Sequence, residues 1–225
     1  MKTQFLTRTD ADRLLAAQLS RYADRPGVIV LGLPMGGVVV AGEVGRQLGA
    51  PLDVLVVRML SLPYREELAL GALAPHGVCI LNDELIDRLD IEIDAIGSVR
   101  LQEERELERQ EQAYHGNRGD LEVRDRTVIV VDEGIVQSWR MHAASVFLHQ
   151  QNAARVIVAA PVIAPDAYSE LQTVATEVVG LSLPAKLESL GSWFEDFPPV
   201  TDDDVRRVLG TTTPRDESAD DERAR

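Results

Sequence analysis

The sequence predicts an α/β domain built on an open, mostly parallel sheet with helices on both faces. Three observations lead there. Short runs such as Val28 to Leu31 and Val128 to Val131 are apolar at every position, as strands covered on both faces must be. Segments of helical length separate these runs, and strands that pair in parallel need such crossovers. The turn Leu33-Pro34-Met35-Gly36-Gly37 joins a strand to a helix, so that strand, glycine turn, helix and next strand fit within the roughly 30 residues of a βαβ unit.

The elements follow in order. A first helix is expected to open near Thr9-Asp10, which can cap it, and to carry Leu14, Leu15, Ala17, Leu19 and Tyr22 on or near one face until Asp24-Arg25-Pro26-Gly27 ends it. The strand Val28 to Leu31, a helix through Val44 to Leu48 and a strand Leu52 to Val57 closing on Arg58 complete the first unit. Asp83 to Tyr114 is polar and charge-rich. Val99, Leu101 and Leu107 give it a thin apolar stripe and Arg100 can pair with Glu104 one turn on, so it reads as a solvated helix face, with a self-association surface as the second reading. The second half repeats the alternation: strand Thr127 to Val131, helix Ser138 to Gln150, strand Arg155 to Ala160, helix Pro165 to Thr173 and strand Glu177 to Leu181. Residues 1–209 are expected to form one domain. Gly210 to Arg225, rich in Thr, Asp, Glu and Arg with little to bury, is expected to be a disordered acidic tail.

Composition narrows the function classes. A chain of 225 residues can bury one substantial core. Its net charge of −14 works against general nucleic-acid binding, which needs clustered basic groups. Lys2 and Lys186 are the only lysines, so almost all positive charge is arginine. Cys79 is the single cysteine; it reads as a small buried hydrophobe, and the absence of a disulfide framework points to a reducing, cytoplasmic location. No apolar segment approaches membrane-spanning length and the first residues do not read as a secretion signal, so neither insertion nor secretion is expected.

Ligands of open parallel sheets bind outside the carboxyl ends of strands, which directs attention to the turns after Leu33, Val57 and Val131. After Val131 stand Asp132, Glu133 and Gly134, and then a helix start. Two carboxylates in that place can accept hydrogen bonds from the vicinal hydroxyls of a ribose, while the amides of the following loop face its 5′-phosphate. Other chemistries have less support. His142 and His149 lie seven residues apart on one helix, too far for a shared metal, and His76 and His115 fall in turns without ligand partners. Ser138 lacks a nucleophile-elbow pattern, and Gly32 with Gly36-Gly37 does not make the dinucleotide fingerprint.

These segments resemble the type I phosphoribosyltransferases, most closely a bacterial subgroup, over roughly Phe5 to Leu209. Where the subgroup reads Asp-Asp-Gly-Ile-Ala-Thr-Gly-Ala-Thr-Met, this chain reads Asp132-Glu133-Gly134-Ile135-Val136-Gln137-Ser138-Trp139-Arg140-Met141. Leu33-Pro34-Met35-Gly36-Gly37-Val38 is similar to the family's Leu-Pro-Arg-Gly-Gly-Val pyrophosphate loop, and Val57-Arg58-Met59-Leu60 to its Val-Arg-Lys-Leu. Glu67-Leu68-Ala69-Leu70-Gly71-Ala72 and Trp193-Phe194-Glu195-Asp196-Phe197-Pro198 match as well. The resemblance implies a type I fold with a small helical or irregular hood at about 60–125, and a pentosyltransferase of nucleoside metabolism. It would take ribose 5-phosphate from phosphoribosyl pyrophosphate to a nucleobase-like acceptor, with Mg2+ arriving on the pyrophosphate and no other cofactor, and would form homo-oligomers.

The departures fall on the polar positions. Gln137 and Arg140 replace two phosphate-binding threonines, Ser138 replaces the glycine that lets the backbone close on an anion, and Trp139 stands where a small residue belongs. An indole there either fills the ribose-phosphate space or swings outward. Met35 and Met59 replace an arginine and a lysine that would stabilise the leaving pyrophosphate, and Arg58 alone remains. The leading expectation is a nucleotide- or phosphate-binding, regulatory or structural protein with eroded catalytic loops. The second is an active transferase with a rebuilt site: Asp132 and Glu133 on ribose, Arg58 on pyrophosphate, and Arg140 on the 5′-phosphate helped by Ser138 as helix cap and Gln137 as amide donor. A simpler role for Arg140 is to pair with a nearby carboxylate. The third expectation is a self-assembly or partner-docking protein with a closed pocket.

Overall fold

The structure, a computed structural model, describes residues 5–63, 65–115, 121–187 and 189–212; within these, the side chains of residues 66, 67, 211 and 212 lie outside the description. Its frame is a five-stranded parallel sheet of β1 (Val28–Gly32), β2 (Leu52–Val54), β6 (Thr127–Val131), β7 (Arg155–Val162) and β8 (Glu177–Ser182), ordered β2-β1-β6-β7-β8. Successive side chains of a strand point to opposite faces, and here both faces are covered. Val28, Val30, Ile129 and Val131 enter one apolar cluster with residues of α1 (Arg8–Gln18), α2 (Gly36–Leu48) and α7 (Asp202–Thr212). Ile29, Leu31, Val128 and Val130 enter the other with α5 (Trp139–Gln150) and α6 (Pro165–Leu171). That double burial accounts for the uninterrupted apolar runs of β1 and β6.

Several boundaries differ from expectation. Helix α1 is capped by Thr7, whose extended backbone lets its hydroxyl accept from the Asp10 amide, earlier than the cap read at Thr9-Asp10. Leu14 is exposed and Ala11, Asp12, Leu15 and Ala16 form the inward face. The run Leu52 to Val57 is not one strand. Its first three residues pair with β1, and the chain then leaves the sheet to begin β3 (Arg58–Leu62).

The hood is not merely helical or irregular. β3, β4 (Arg65–Leu73) and β5 (Cys79–Leu81) form a three-stranded antiparallel sheet, packed with α4 (Ile93–His115), and α3 (Asp83–Arg88) follows β5. Register shifts at Leu60, Ser61 and Leu62 break the alternation that would have marked β3 as a strand. Along α4 the inward face is Val99, Leu107, Gln110 and Tyr114, whereas Leu101 is exposed, and Arg100 does pair with Glu104 at 2.7 Å. His115 ends α4 instead of lying in a turn; its ring meets the Asp53 carboxylate and the Val54 carbonyl, which raise its pKa. Gly210 and residues 211 and 212 belong to α7; the rest of the segment expected to form a disordered tail, residues 213–225, lies outside the described residues. Among the described residues, no helix is long and apolar enough to cross a membrane.

Candidate functional site

The chain steps from β1 outward to β2, crosses the hood, and returns on the other side of β1 as β6. This reversal makes the carboxyl ends of β1 and β6 the switch point at which open α/β sheets bind ligands. The two loops there touch. Leu33 donates its amide to the Val131 carbonyl at 2.9 Å. Gly36 and Gly37 open α2 directly against the acidic pair: a Cβ on Gly37 would sit 2.7 Å from the Val131 carbonyl oxygen and 2.9 Å from the Asp132 Cα, and one on Gly36 would overlap the Glu133 carboxylate. Gly37 is therefore required by close approach to backbone, whereas a side chain at Gly36 would displace the Glu133 carboxylate. The approach also places the Glu133 carboxylate at the amino end of α2, where the helix dipole favours an anion.

Both carboxylates are held by arginine. Asp132 is 6% exposed; its Oδ1 accepts from the Glu133 amide at 2.9 Å, and its Oδ2 lies 3.3 Å from Arg140 Nη1. Burial pushes Asp132 up to about 6, against the opposing pull of Arg140. Arg140 also donates through Nη2 to the Pro34 carbonyl, so one guanidinium ties the loop after β6 to the turn after β1. Its buried Nε has no partner among the described residues. Glu133 Oε2 accepts from Arg8, at 3.1 Å from Nε and 3.0 Å from Nη2.

Arg8 was not singled out from the sequence, and neither was Asp12, one turn further along α1. Asp12 is 2% exposed and its Oδ1 is unpartnered among the described residues. Burial first, then the neighbouring Glu43, push it up to about 8, with Arg8 opposing and Glu133 and Asp10 adding to the rise. An aspartate on a helix otherwise read for its apolar residues is the one signal that could have found it.

The remaining predicted site residues take the following places in the fold. Ser138 is buried, and its hydroxyl donates to the Glu170 carboxylate. It does not cap α5 through its side chain, because its backbone is already helical and the hydroxyl is turned to α6. Trp139 is half-buried against the apolar cluster beneath α5, Gln137 is exposed, and Met35 is 42% exposed at the start of α2. Gly134 lies under Leu190, whose side chain would collide with any Cβ there. Arg58 opens β3 and pairs with Glu103 of α4 at 2.8 Å. Glu67 lies on β4 and its side chain is outside the described residues. Among the described residues, no three His, Cys, Asp or Glu side chains converge to hold a metal ion.

Comparisons with known proteins place this arrangement. No family model matches the sequence. Two Mycobacterium tuberculosis proteins, from strains CDC 1551 and H37Rv and both named "Putative phosphoribosyl transferase", are 36% identical over 205 residues covering 91% of this chain. The crystal structure of TT1426 from Thermus thermophilus is 34% identical with a TM-score of 0.77, across 94% of this chain and 100% of that one. The chain belongs to the phosphoribosyltransferase family. It spans about half, 46%, of the length of the two mycobacterial relatives. AQ2163 from Aquifex aeolicus, 8% identical with a TM-score of 0.52 over 82% of this chain and 78% of its own, shares the fold.

The parallel sheet flanked by helices is the type I phosphoribosyltransferase fold. Within this phosphoribosyltransferase-family chain, three of the five segments that carried the resemblance lie together, while Val57 to Leu60 and Glu67 to Ala72 run into and along the hood strands β3 and β4. The turn Leu33 to Gly37 and the loop from Asp132 onward share the switch point, and Trp193 to Pro198 reaches it through Arg8.

Proposed function

We propose that this chain is a phosphoribosyltransferase-family protein that binds a ribose phosphate or nucleotide at the Asp132–Arg140 loop and has little or no transferase activity, working as a binding or regulatory protein. One observation carries this reading. The Arg140 guanidinium stands between the Asp132 carboxylate and the Pro34 carbonyl, so an internal ion pair engages the acceptor that a ribose hydroxyl would need. Charge for a departing pyrophosphate is also weak: Met35 and Met59 are neutral, and Arg58 is committed to Glu103. Preorganised charge contacts of that kind are each worth about 3 kcal/mol in a transition state, so losing two costs several orders of magnitude in rate.

The test is pyrophosphate release from phosphoribosyl pyrophosphate with Mg2+ and a panel of nucleobases, beside calorimetric titration with ribose 5-phosphate and nucleoside monophosphates. Binding without measurable turnover is the expected outcome; robust turnover with any base overturns it. The second reading, an active transferase with a rebuilt phosphate site, draws on the position of Arg140 in the first turn of α5 and on its unpartnered Nε. It requires Arg140 to leave Asp132 for the 5′-phosphate, so Arg140→Ala should then lose binding and turnover together. Under the leading reading the same variant frees Asp132 and raises affinity for the ribose moiety.

A further inference from the structure

The late segment Trp193-Phe194-Glu195-Asp196-Phe197-Pro198 has no role in the chemistry discussed so far, yet it closes over the acidic loop. It is laced to the start of the described chain: Phe5 donates its amide to the Trp193 carbonyl at 2.8 Å, and the amides of Glu195 and Asp196 donate to the carbonyls of Phe5 and Leu6 at 3.0 and 3.2 Å. Phe194 stacks on Phe197 with ring centres 4.7 Å apart and lies 5.6 Å from Phe5. Leu190, just before it, rests on Gly134.

Arg8 joins this strap to the site. Its guanidinium lies 3.8 Å from the centre of the Phe197 ring and donates through Nη1 to the Pro198 carbonyl at 2.6 Å. Through Nε and Nη2 it holds Glu133 Oε2. A guanidinium stacked on an aromatic face and bonded on two edges has little rotational freedom left. The carboxylate it grips lies against Gly36, where a Cβ would overlap it. Both nitrogens of Arg8 meet the same carboxylate oxygen, which leaves Oε1 to serve a ligand.

We propose that Arg8, seated on the Phe197 strap, is a positioning residue that orients Glu133 so that Oε1 accepts a hydrogen bond from the ribose 2-hydroxyl, making the site selective for ribose over 2-deoxyribose phosphates. The selectivity rests on the ribose-phosphate reading above; the strap itself does not. Because a carboxylate that has to rotate and be desolvated again on binding loses affinity, the strap acts through preorganisation rather than through a ligand contact of its own.

Two measurements test this. Hydrogen exchange on the free protein should show the amides of Phe5, Glu195 and Asp196 and the loop 132–138 exchanging about tenfold faster in Arg8→Gln, and faster in Phe197→Leu, with β1 and β7 unchanged. Titration of ribose 5-phosphate against 2-deoxyribose 5-phosphate should show the preference for the former lost in Arg8→Gln, with affinity down about tenfold, and no further loss when Arg8→Gln is added to Glu133→Gln. Unchanged strap and loop exchange in both single variants overturns the proposal, as does an Arg8→Gln effect of equal size with and without Glu133. If Arg8→Gln fails to fold, Phe197→Leu, which leaves every charge in place, decides alone. If the wild type binds neither sugar phosphate, the ribose-phosphate reading and the selectivity fall together, and the exchange data still decide whether Arg8 fastens the strap.

Discussion

Asp12→Asn is expected to stabilise the protein by several kcal/mol at neutral pH. Asp12 is buried among Arg8, Glu43 and Glu133, and its carboxyl is pushed up to about 8. In the unfolded chain it titrates near 3.9. Below that value both states are protonated and folding incurs no penalty. As pH rises the unfolded state releases the proton and the folded state keeps it, so stability falls from about pH 4 until the folded group also ionises near 8. At 1.36 kcal/mol per unit, the interval from 3.9 to pH 7 corresponds to roughly 4 kcal/mol, an order-of-magnitude figure. Asparagine has the shape and neutrality of the protonated acid and removes this dependence. Urea denaturation of both proteins at pH 5, 7 and 8 checks the point: the gap should be small at pH 5 and widen upward. A gap that stays constant with pH would mean that Asp12 is ionised in the fold.

The second large effect is expected at Gly37. A methyl group there would lie 2.7 Å from the Val131 carbonyl oxygen and 2.9 Å from the Asp132 Cα. Those atoms are backbone, held in the register of β6, and cannot step aside as a flexible side chain would. Gly37→Ala must therefore move the start of α2 away from β6, costing about 2–3 kcal/mol as overpacking does, and parting the two loops whose contact forms the site. Chemical denaturation should show the loss, and titration with ribose 5-phosphate should show binding abolished. Gly97, in the interior of α4, is the control, since a Cβ there meets nothing within 4 Å. Gly97→Ala should be stabilising by about 0.5–1 kcal/mol, because alanine loses less backbone freedom in a helix.

How much of this was legible in the sequence depended on whether a feature had a local signature. β1 and β6 announced themselves because both faces of each are buried, which leaves nearly every position apolar. The acidic pair was legible because it stands at the end of such a strand. β4 was not read as a strand: it opens on Arg65, Glu66 and Glu67, and Gly71 within it has a φ of 146°. Propensity weighs against a strand with charges at one end and glycine inside, and pairing with β3 and β5 outweighed it. The pairing of Arg140 with a carboxylate was anticipated, whereas its second contact, to Pro34, depends on two loops 106 positions apart. Arg8 and Glu133 are separated by 125 positions. No periodicity connects them, and their meeting follows only from α1 lying across the sheet with its first turn at the end of β6.

The protein has two tryptophans, Trp139 and Trp193. One stands beside Arg140 at the start of α5 and the other is buried in the strap fastened through Arg8. Light absorbed above the tyrosine band is therefore emitted from the two segments that carry Arg140 and the Arg8-bound strap, and the molecule reports on both without any label. Replacing either indole with phenylalanine separates the two signals, so that movement of the loop before α5 and movement of the strap can be followed independently in parallel titrations.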